Sequence, residues 1–185
     1  MKRQEVVMMV GVPGSGKTTY VRERLSGHVH VSLDVNNLEL TGADRAALLD
    51  RYEREEPLNL GRQPYGMPSN PAGRKYRSSL SREQGSRNRR REYVQMADAL
   101  KAGGDVVIDD TNLTSAIRWP YVLMARQHGA TVTAVYFTDV ALALERNRAR
   151  TGRARVPDHV LRRQCGMLEM PRKEEGFDCT RWAGG

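Results

Sequence analysis

The sequence predicts an α/β fold: a central, mainly parallel sheet of four or five strands with helices on both faces. Three observations lead there. A glycine-rich turn, Gly11-Val12-Pro13-Gly14-Ser15-Gly16-Lys17-Thr18-Thr19, stands between an apolar run and a helical stretch near the start of the chain. Apolar runs then alternate with helix-length segments, the arrangement that makes parallel strands with helical crossovers. The first run, Val6-Val7-Met8-Met9-Val10, is continuously apolar, as a strand buried on both faces requires.

Taken in order, the first strand is read over Glu5 to Val12 and the first helix from about Lys17 to Leu25, ending near Gly27. His28 to Leu33 alternates in character and reads as a second short strand ending at Asp34; His28 and His30 share a face, as partly buried or edge histidines rather than metal ligands. Ala43 to Glu56 has helical spacing and is stopped by Pro57. Leu58 to Asn88, with Pro64, Pro68, Pro71 and four glycines, is read as a turn-rich insertion on the substrate side. Helix returns over Arg89 to Ala102, with Tyr93, Met96, Ala97 and Leu100 on one face and Gly103-Gly104 ending it. Strand three is Asp105 to Asp110. Thr114 can cap a helix running to about His128, with Pro120 inside it and Gly129 closing it. Ala130 to Phe137 is strand four, Val140 to Arg150 a helix, and Thr151 to Val156 a short basic linker. Pro157 opens a last helix to about Met170, and Phe177 to Trp182 is a short fifth strand. No internal repeat or second apolar core is visible, so residues 1–185 are expected to form one domain, with about 57–88 as its basic insertion.

The glycine-rich turn matches G-x-x-x-x-G-K-[ST], and its setting between strand and helix is the expected one. Glycines let the backbone curl so that successive N–H groups face phosphate oxygens, and the helix N-terminus adds partial positive charge. Gly11, Gly14, Ser15, Gly16, Lys17, Thr18 and Thr19 are therefore expected to bind ATP or another nucleoside triphosphate. Lys17 would reach the β/γ-phosphates and the Thr18 hydroxyl would ligate Mg²⁺.

At 185 residues and 39% hydrophobic content, with no apolar run near membrane-spanning length, the chain reads as a soluble protein. No signal peptide is read at its start, and Cys165 and Cys179 suit reduced thiols, so a cytoplasmic location is expected. The net charge of +8 has a location. Arg62 to Arg91 holds nine basic residues against one acid, Glu83, which accounts for the whole excess. Such a stripe beside a phosphate-handling site suggests a polyanionic partner; a solvated loop is the alternative.

In parallel sheets ligands bind beyond the carboxyl ends of the strands, and those ends carry Gly11, Asp34 and Asp110. Asp34 can accept the proton of an attacking hydroxyl, or cap the following helix. Asp109-Asp110 follows an apolar run, the pattern that supplies a Mg²⁺-organising acid in phosphoryl-transfer enzymes. Side chains alternate along a strand, so only one of the two faces the crevice, and spacing does not say which. Arg146 and Arg150 are four apart on an expected helix and so share a face, with Arg153 and Arg155 following. Arginines brought over a transferring phosphoryl group stabilise its charge, so the segment reads as an Arg-rich lid, with a solvated basic face as the equal alternative.

The ordered set Gly11-x-Pro13-Gly14-Ser15-Gly16-Lys17-Thr18-Thr19, Asp34, Asp110-Thr111-Asn112-Leu113, Arg146-Asn147-x-x-Arg150 and Val156-Pro157-x-x-Val160 resembles the kinase domain of phage-type polynucleotide 5′-kinases. Glu175-Gly176-Phe177-Asp178 is similar to the tail of the wider group of small P-loop kinases. The likeness covers most of the chain apart from about residues 57–88. It implies transfer of the ATP γ-phosphate to a 5′-hydroxyl end of DNA or RNA. On that resemblance Asp34 is the base, Lys17, Arg146 and Arg150 act on the phosphates, and Thr18 and Asp110 organise Mg²⁺. Thr111 and Asn112 lie near the acceptor end, and Val156 and Val160 pack on its terminal base. Where the family has an arginine shortly after the base, this chain has Asn37, and one residue is inserted between Arg150 and Val156. The rival readings are a small-molecule kinase acting on a sugar, nucleoside or antibiotic hydroxyl, and a nucleotide-gated nucleic-acid-binding protein without transfer activity.

Overall fold

The computed structural model describes residues 3–32, 82–151 and 154–184. Among them are five strands, β1 (Glu5–Val10), β2 (Val29–Val31), β3 (Val106–Ile108), β4 (Thr131–Tyr136) and β5 (Cys179–Trp182). They form one sheet in the order β2-β3-β1-β4-β5, and every pairing is parallel. The expectation of a mainly parallel sheet of four or five strands is met at its upper limit. β1 is central, with Val7 opposite Val107 on one side and Thr133 on the other.

The unbroken apolar run of β1 has a direct structural cause. Val6, Met8 and Val10 face a cluster that includes Met96, Leu100, Tyr121 and Met124, from the helices α2 (Arg82–Lys101) and α3 (Ser115–Gln127). Val7 and Met9 face the opposite way, toward Val21 of α1 (Lys17–Arg24) and Phe137. Both faces are thus covered, and alternation along the strand demands apolar residues at every position. Helices α4 (Val140–Arg148) and α5 (Asp158–Met167) complete the described part, with a short 3₁₀ turn at Lys173–Glu175. No helix among the described residues is long and apolar enough to cross a membrane.

The helix boundaries follow their punctuation. Gly103 has φ +84°, and the Gly104 N–H reaches Ala99 O at 2.9 Å, closing α2. Thr114 caps α3 by accepting from the Ile117 N–H, and α3 runs on past Pro120. One boundary is corrected. α2 begins at Arg82 rather than Arg89, so the final seven residues assigned to the turn-rich insertion are helical. Arg, Glu and Gln are good helix formers, and the single Gly85 costs only about 1 kcal/mol in a helix interior. Asp34, Asn37, the expected helix from Ala43 to Glu56, the insertion up to residue 81 and Arg153 lie outside the described residues.

Candidate active site

Beyond the end of β1 the chain curls through three glycines with left-handed or otherwise positive φ: Gly11 (158°), Gly14 (86°) and Gly16 (103°). The value at Gly11 is close to extended; those at Gly14 and Gly16 suit glycine. Lys17 folds back into this curl, its Nζ donating to Gly11 O at 2.9 Å and to Val12 O at 3.0 Å. Gly16 is the N-cap of α1 with no side-chain cap and no acid in the first turn, which leaves the helix N-terminus open to an anion. The Ser15 hydroxyl is buried with no hydrogen-bond partner among the described residues. Orphaned donors around a cradle too tight for side chains are what phosphate oxygens fit. Thr18 and Thr19 stand exposed on the first turn of α1, where the Thr18 hydroxyl would be available to a divalent cation on the phosphates.

The cradle is walled by α4. A β-carbon at Gly14 would lie 2.6 Å from Ala143 O, and one at Gly16 would lie 3.1 Å from Arg146 Nη1. The Arg146 guanidinium therefore sits against the loop it was expected to serve. Its neighbour Asn147 is fully enclosed and grips the backbone of Val156 twice, donating from Nδ2 to O at 2.7 Å and accepting at Oδ1 from N at 3.0 Å. Asn147, which the sequence offers only as part of the Arg146-Asn147-x-x-Arg150 motif, ties Val156 back onto α4. Arg150 does not share the helical face with Arg146, because α4 ends at Arg148. It is exposed, with Nη1 3.5 Å from Ala154 O.

The turn after β3 is locked to the cradle. The Gly11 N–H donates to Thr111 O at 3.0 Å, and Asn112, at φ 44°, donates from Nδ2 to Met9 O at 2.8 Å. Asp109 and Asp110 part as strand alternation requires. Asp109 Oδ2 meets His30 Nε2 at 3.1 Å across to β2, which also settles His30 as a paired edge histidine. Asp110 instead lies beside Glu92 and Arg89 of α2. Glu92 is fully enclosed and accepts from Tyr121 Oη at 2.5 Å. Burial, with the hydrogen-bonded Asp110 carboxyl next to it, pushes the Glu92 carboxyl up to about 9. Burial likewise raises Tyr121. Nothing in the sequence marked Glu92, a single acid in the run Arg90-Arg91-Glu92-Tyr93; its importance comes from docking α2 onto β3.

A second buried charge holds the turn from below. Arg118 donates from Nε and Nη2 to the two carboxylate oxygens of Glu175, each at 2.7 Å, and from Nη1 to Asn112 O and Glu169 O, each at 3.0 Å. The pair ties the tail of the chain to the turn that carries Asp110 and Thr111.

Residues 6–171 match the AAA domain family AAA_33. The chain belongs to that family. Among solved structures, a sugar kinase from a Janibacter species matches with TM-score 0.53 and 18% identity, over 98% of this chain and 85% of that one. A gluconokinase from Sinorhizobium meliloti matches with TM-score 0.51 and 18% identity, over 98% and 83% of the two chains. Kti12 of Chaetomium thermophilum, solved in complex with ADP-AlF3, matches with TM-score 0.53 and 16% identity, over 96% and 88%. No curated protein sequence matches the chain. At these identities the structural likeness shows the fold, that of P-loop kinases.

In this AAA_33 chain the expected site residues divide as follows. Gly11, Gly14, Ser15, Gly16, Lys17, Arg146 and the Asp110-Thr111 turn meet at one edge of the sheet. Val156 is half-buried against the cluster of Val12, Leu113, Ala143 and Leu161, and Val160 is half-buried on the first turn of α5. Asn112 is reassigned: at 1% exposure, with its amide on Met9 O, it shapes the turn instead of meeting an acceptor. The basic stripe is also revised at its end, where Arg91 is 3% exposed and Arg89 is partly enclosed rather than solvated.

Proposed function

We propose that this chain is an ATP-dependent polynucleotide 5′-hydroxyl kinase. The observation that carries the reading is the meeting of three phosphate-handling parts at one sheet edge: the Lys17 cradle, the Arg146 guanidinium against Gly16, and the Asp110 turn bonded to Gly11. A nucleic acid acceptor is favoured by the basic run of residues 62–91, which carries the whole net positive charge of the chain. Its last part is α2, which packs along the sheet and brings Arg89 beside Asp110.

The reaction follows from these parts. The β- and γ-phosphates of ATP take the N–H groups of the loop and the α1 N-terminus, and Lys17 exchanges the carbonyls of Gly11 and Val12 for phosphate oxygens. Asp34, which lies outside the described residues and is assigned on the family resemblance, would accept the proton as the 5′-hydroxyl oxygen attacks the γ-phosphorus. The bond to the β–γ bridging oxygen breaks and ADP leaves. Arg146, joined by Arg150 when the linker closes, offsets charge on the transferring group. Thr18 and Asp110 would hold Mg²⁺, which when bound neutralises phosphate charge.

The test is transfer of label from γ-labelled ATP to a 5′-hydroxyl oligonucleotide, with gluconate and other sugars in parallel. Asp34→Asn is expected to keep nucleotide binding and to lower turnover by about 10²–10⁴-fold. Label on a sugar and none on the oligonucleotide supports the small-molecule rival, toward which two of the structural neighbours lean by their names. Unchanged turnover in Asp34→Asn removes that residue from the proton-accepting role.

A further inference from the structure

Outside residues 62–91 positive and negative side chains balance in number but not in place. Residues 146–173 hold nine arginines and lysines against two acids, Asp158 and Glu169. The fold leaves this excess standing. The Glu169 carboxylate is used at the start of α3, where Oε2 accepts from the Ser115 N–H at 2.8 Å. Asp158 stands in the first turn of α5, the helix end that favours an acid, and enters no ion pair among the described residues.

α5 sorts its side chains sharply. Leu161 is fully enclosed in the cluster of Val12, Leu113 and Ala143, with Val156 and Cys165 half-buried beside it. His159, Arg162, Arg163 and Gly166 are exposed, and Arg155 in the lead-in continues their spacing of three or four residues. Arg155 and Arg162 enter no ion pair among the described residues, whereas Arg126 on the surface of α3 meets Asp178 at 3.0 Å. Solvated helix faces usually intersperse both signs, so that cations are matched along the helix. A face of one sign repels itself and suits a polyanion.

The chemistry of the face narrows the partner. Its cations are guanidinium groups, planar forks that fit phosphate oxygens bidentately. The apolar side of α5 is spent on the core, so the exposed face has neither the apolar wedge of a membrane-surface helix nor the central anchors of a protein interface. Its place in the chain matters too. α5 follows the linker that leaves α4 just after Arg146, so a strand whose end lies in the crevice can run on over it. A ten-residue helix is about 15 Å long and about 10 Å across. A strand passing around and along it covers about 25 Å, roughly seven nucleotides at 3.4 Å each.

We propose that the solvent face of α5 is a nucleic-acid backbone surface outside the crevice, gripping phosphates of the acceptor strand several nucleotides away from the reacting 5′ end. The position of that end rests on the polynucleotide kinase reading.

The test keeps binding and transfer apart. Anisotropy gives Kd for 5′-hydroxyl oligothymidylates, a dinucleotide and a twenty-residue strand labelled at the 3′ end, over a salt series. Transfer of label from γ-labelled ATP is read separately. The variants are Arg162→Gln, Arg162→Gln with Arg163→Gln, and, as a control, Arg22→Gln with Arg24→Gln at exposed positions of α1. The wild type is expected to bind the long strand more tightly than the dinucleotide, with the steeper salt dependence. Each single-strand phosphate contact contributes about 0.7 to the slope of log Kd against log salt. The double variant on α5 should therefore lose about 1.4 of that slope for the long strand. Between about 50 and about 200 mM salt it should weaken about sevenfold less than the wild type. Arg162→Gln alone should lose about half as much slope, and decides by the same reading should the double variant fail to fold. Kd for the dinucleotide and for ATP, and the control's slope, should stay as in the wild type. A wild-type slope in the α5 variants overturns the proposal, as does an equal loss in the control or for the dinucleotide. Polyglutamate that binds as tightly as the long strand and loses the same slope assigns the face to an acidic protein and also overturns it. A long strand that binds through α5 but takes no label leaves the surface standing and removes the kinase reading. One that is labelled yet binds no tighter than the dinucleotide removes the surface and spares that reading.

Discussion

Replacing Gly14 with alanine perturbs the cradle at the point where its geometry is tightest. The new methyl would be placed 2.6 Å from Ala143 O, closer than real carbon–oxygen contacts, and Gly14 already has φ +86°. The left-handed backbone alone costs an alanine about 1–2 kcal/mol. The steric overlap adds to this, because Ala143 O belongs to a helix backbone and yields only if α4 moves away. Arg146 and Asn147 lie three and four residues further along α4, so that movement draws the guanidinium off Gly16 and loosens the grip on Val156. A combined 2 kcal/mol or more in the binding conformation corresponds to about a thirtyfold loss of nucleotide affinity, since each 1.4 kcal/mol is tenfold. The assay is titration with a fluorescent ATP analogue alongside thermal melting. Gly129→Ala is the matched control: its φ is +69° but nothing among the described residues lies within 4 Å of the added carbon. It should lower Tm by about 2–4 °C per kcal/mol without touching nucleotide affinity. Wild-type affinity in Gly14→Ala, with a Tm loss no larger than that of Gly129→Ala, would refute the account of the cradle wall.

Two further outcomes follow from the buried charges. Glu175→Gln unbalances the Arg118 pair, and removing one partner of a buried ion pair costs about 3–5 kcal/mol, so Tm should fall by roughly 6–20 °C; a fall under a few degrees would show the pair to be dispensable. For Glu92, the folded carboxyl at about 9 lies above its ordinary value of 4.5, so the folded state binds the proton more tightly. Its contribution is complete below about 4.5 and is lost as pH rises through about 9. Glu92→Gln keeps the shape and stays neutral, so its Tm advantage over the wild type should grow steadily between those limits. A pH-independent difference would mean that the carboxyl is not held protonated.

Much of the fold was legible because its causes are local. β1 had to be apolar at every position once it was central in a parallel sheet, and Gly103, Gly129 and Thr114 punctuate the helices through their own backbone preferences. The start of α2 was misread for an equally local reason: Gly85 and a run of arginines resemble a loop until packing selects the helix. Arg150 was placed on a helix face that the helix does not reach. The site was legible where one continuous segment builds it, as in the cradle from Gly11 to Thr19, and opaque where two segments must meet.

That division has a physical basis. The sequence by itself determined the parallel α/β architecture and the phosphate-binding turn, because glycine torsions, apolar continuity and the neighbouring lysine act within a few residues of chain. Only the tertiary structure decided that Asp110 rather than Asp109 turns toward α2 and that Glu92 meets it. It also decided that Arg118 is consumed by Glu175, while Arg89 Nη1 is buried with no acceptor among the described residues. Which buried charges face one another depends on how helices dock across the sheet, and docking joins residues whose separation along the chain carries no trace of the contact.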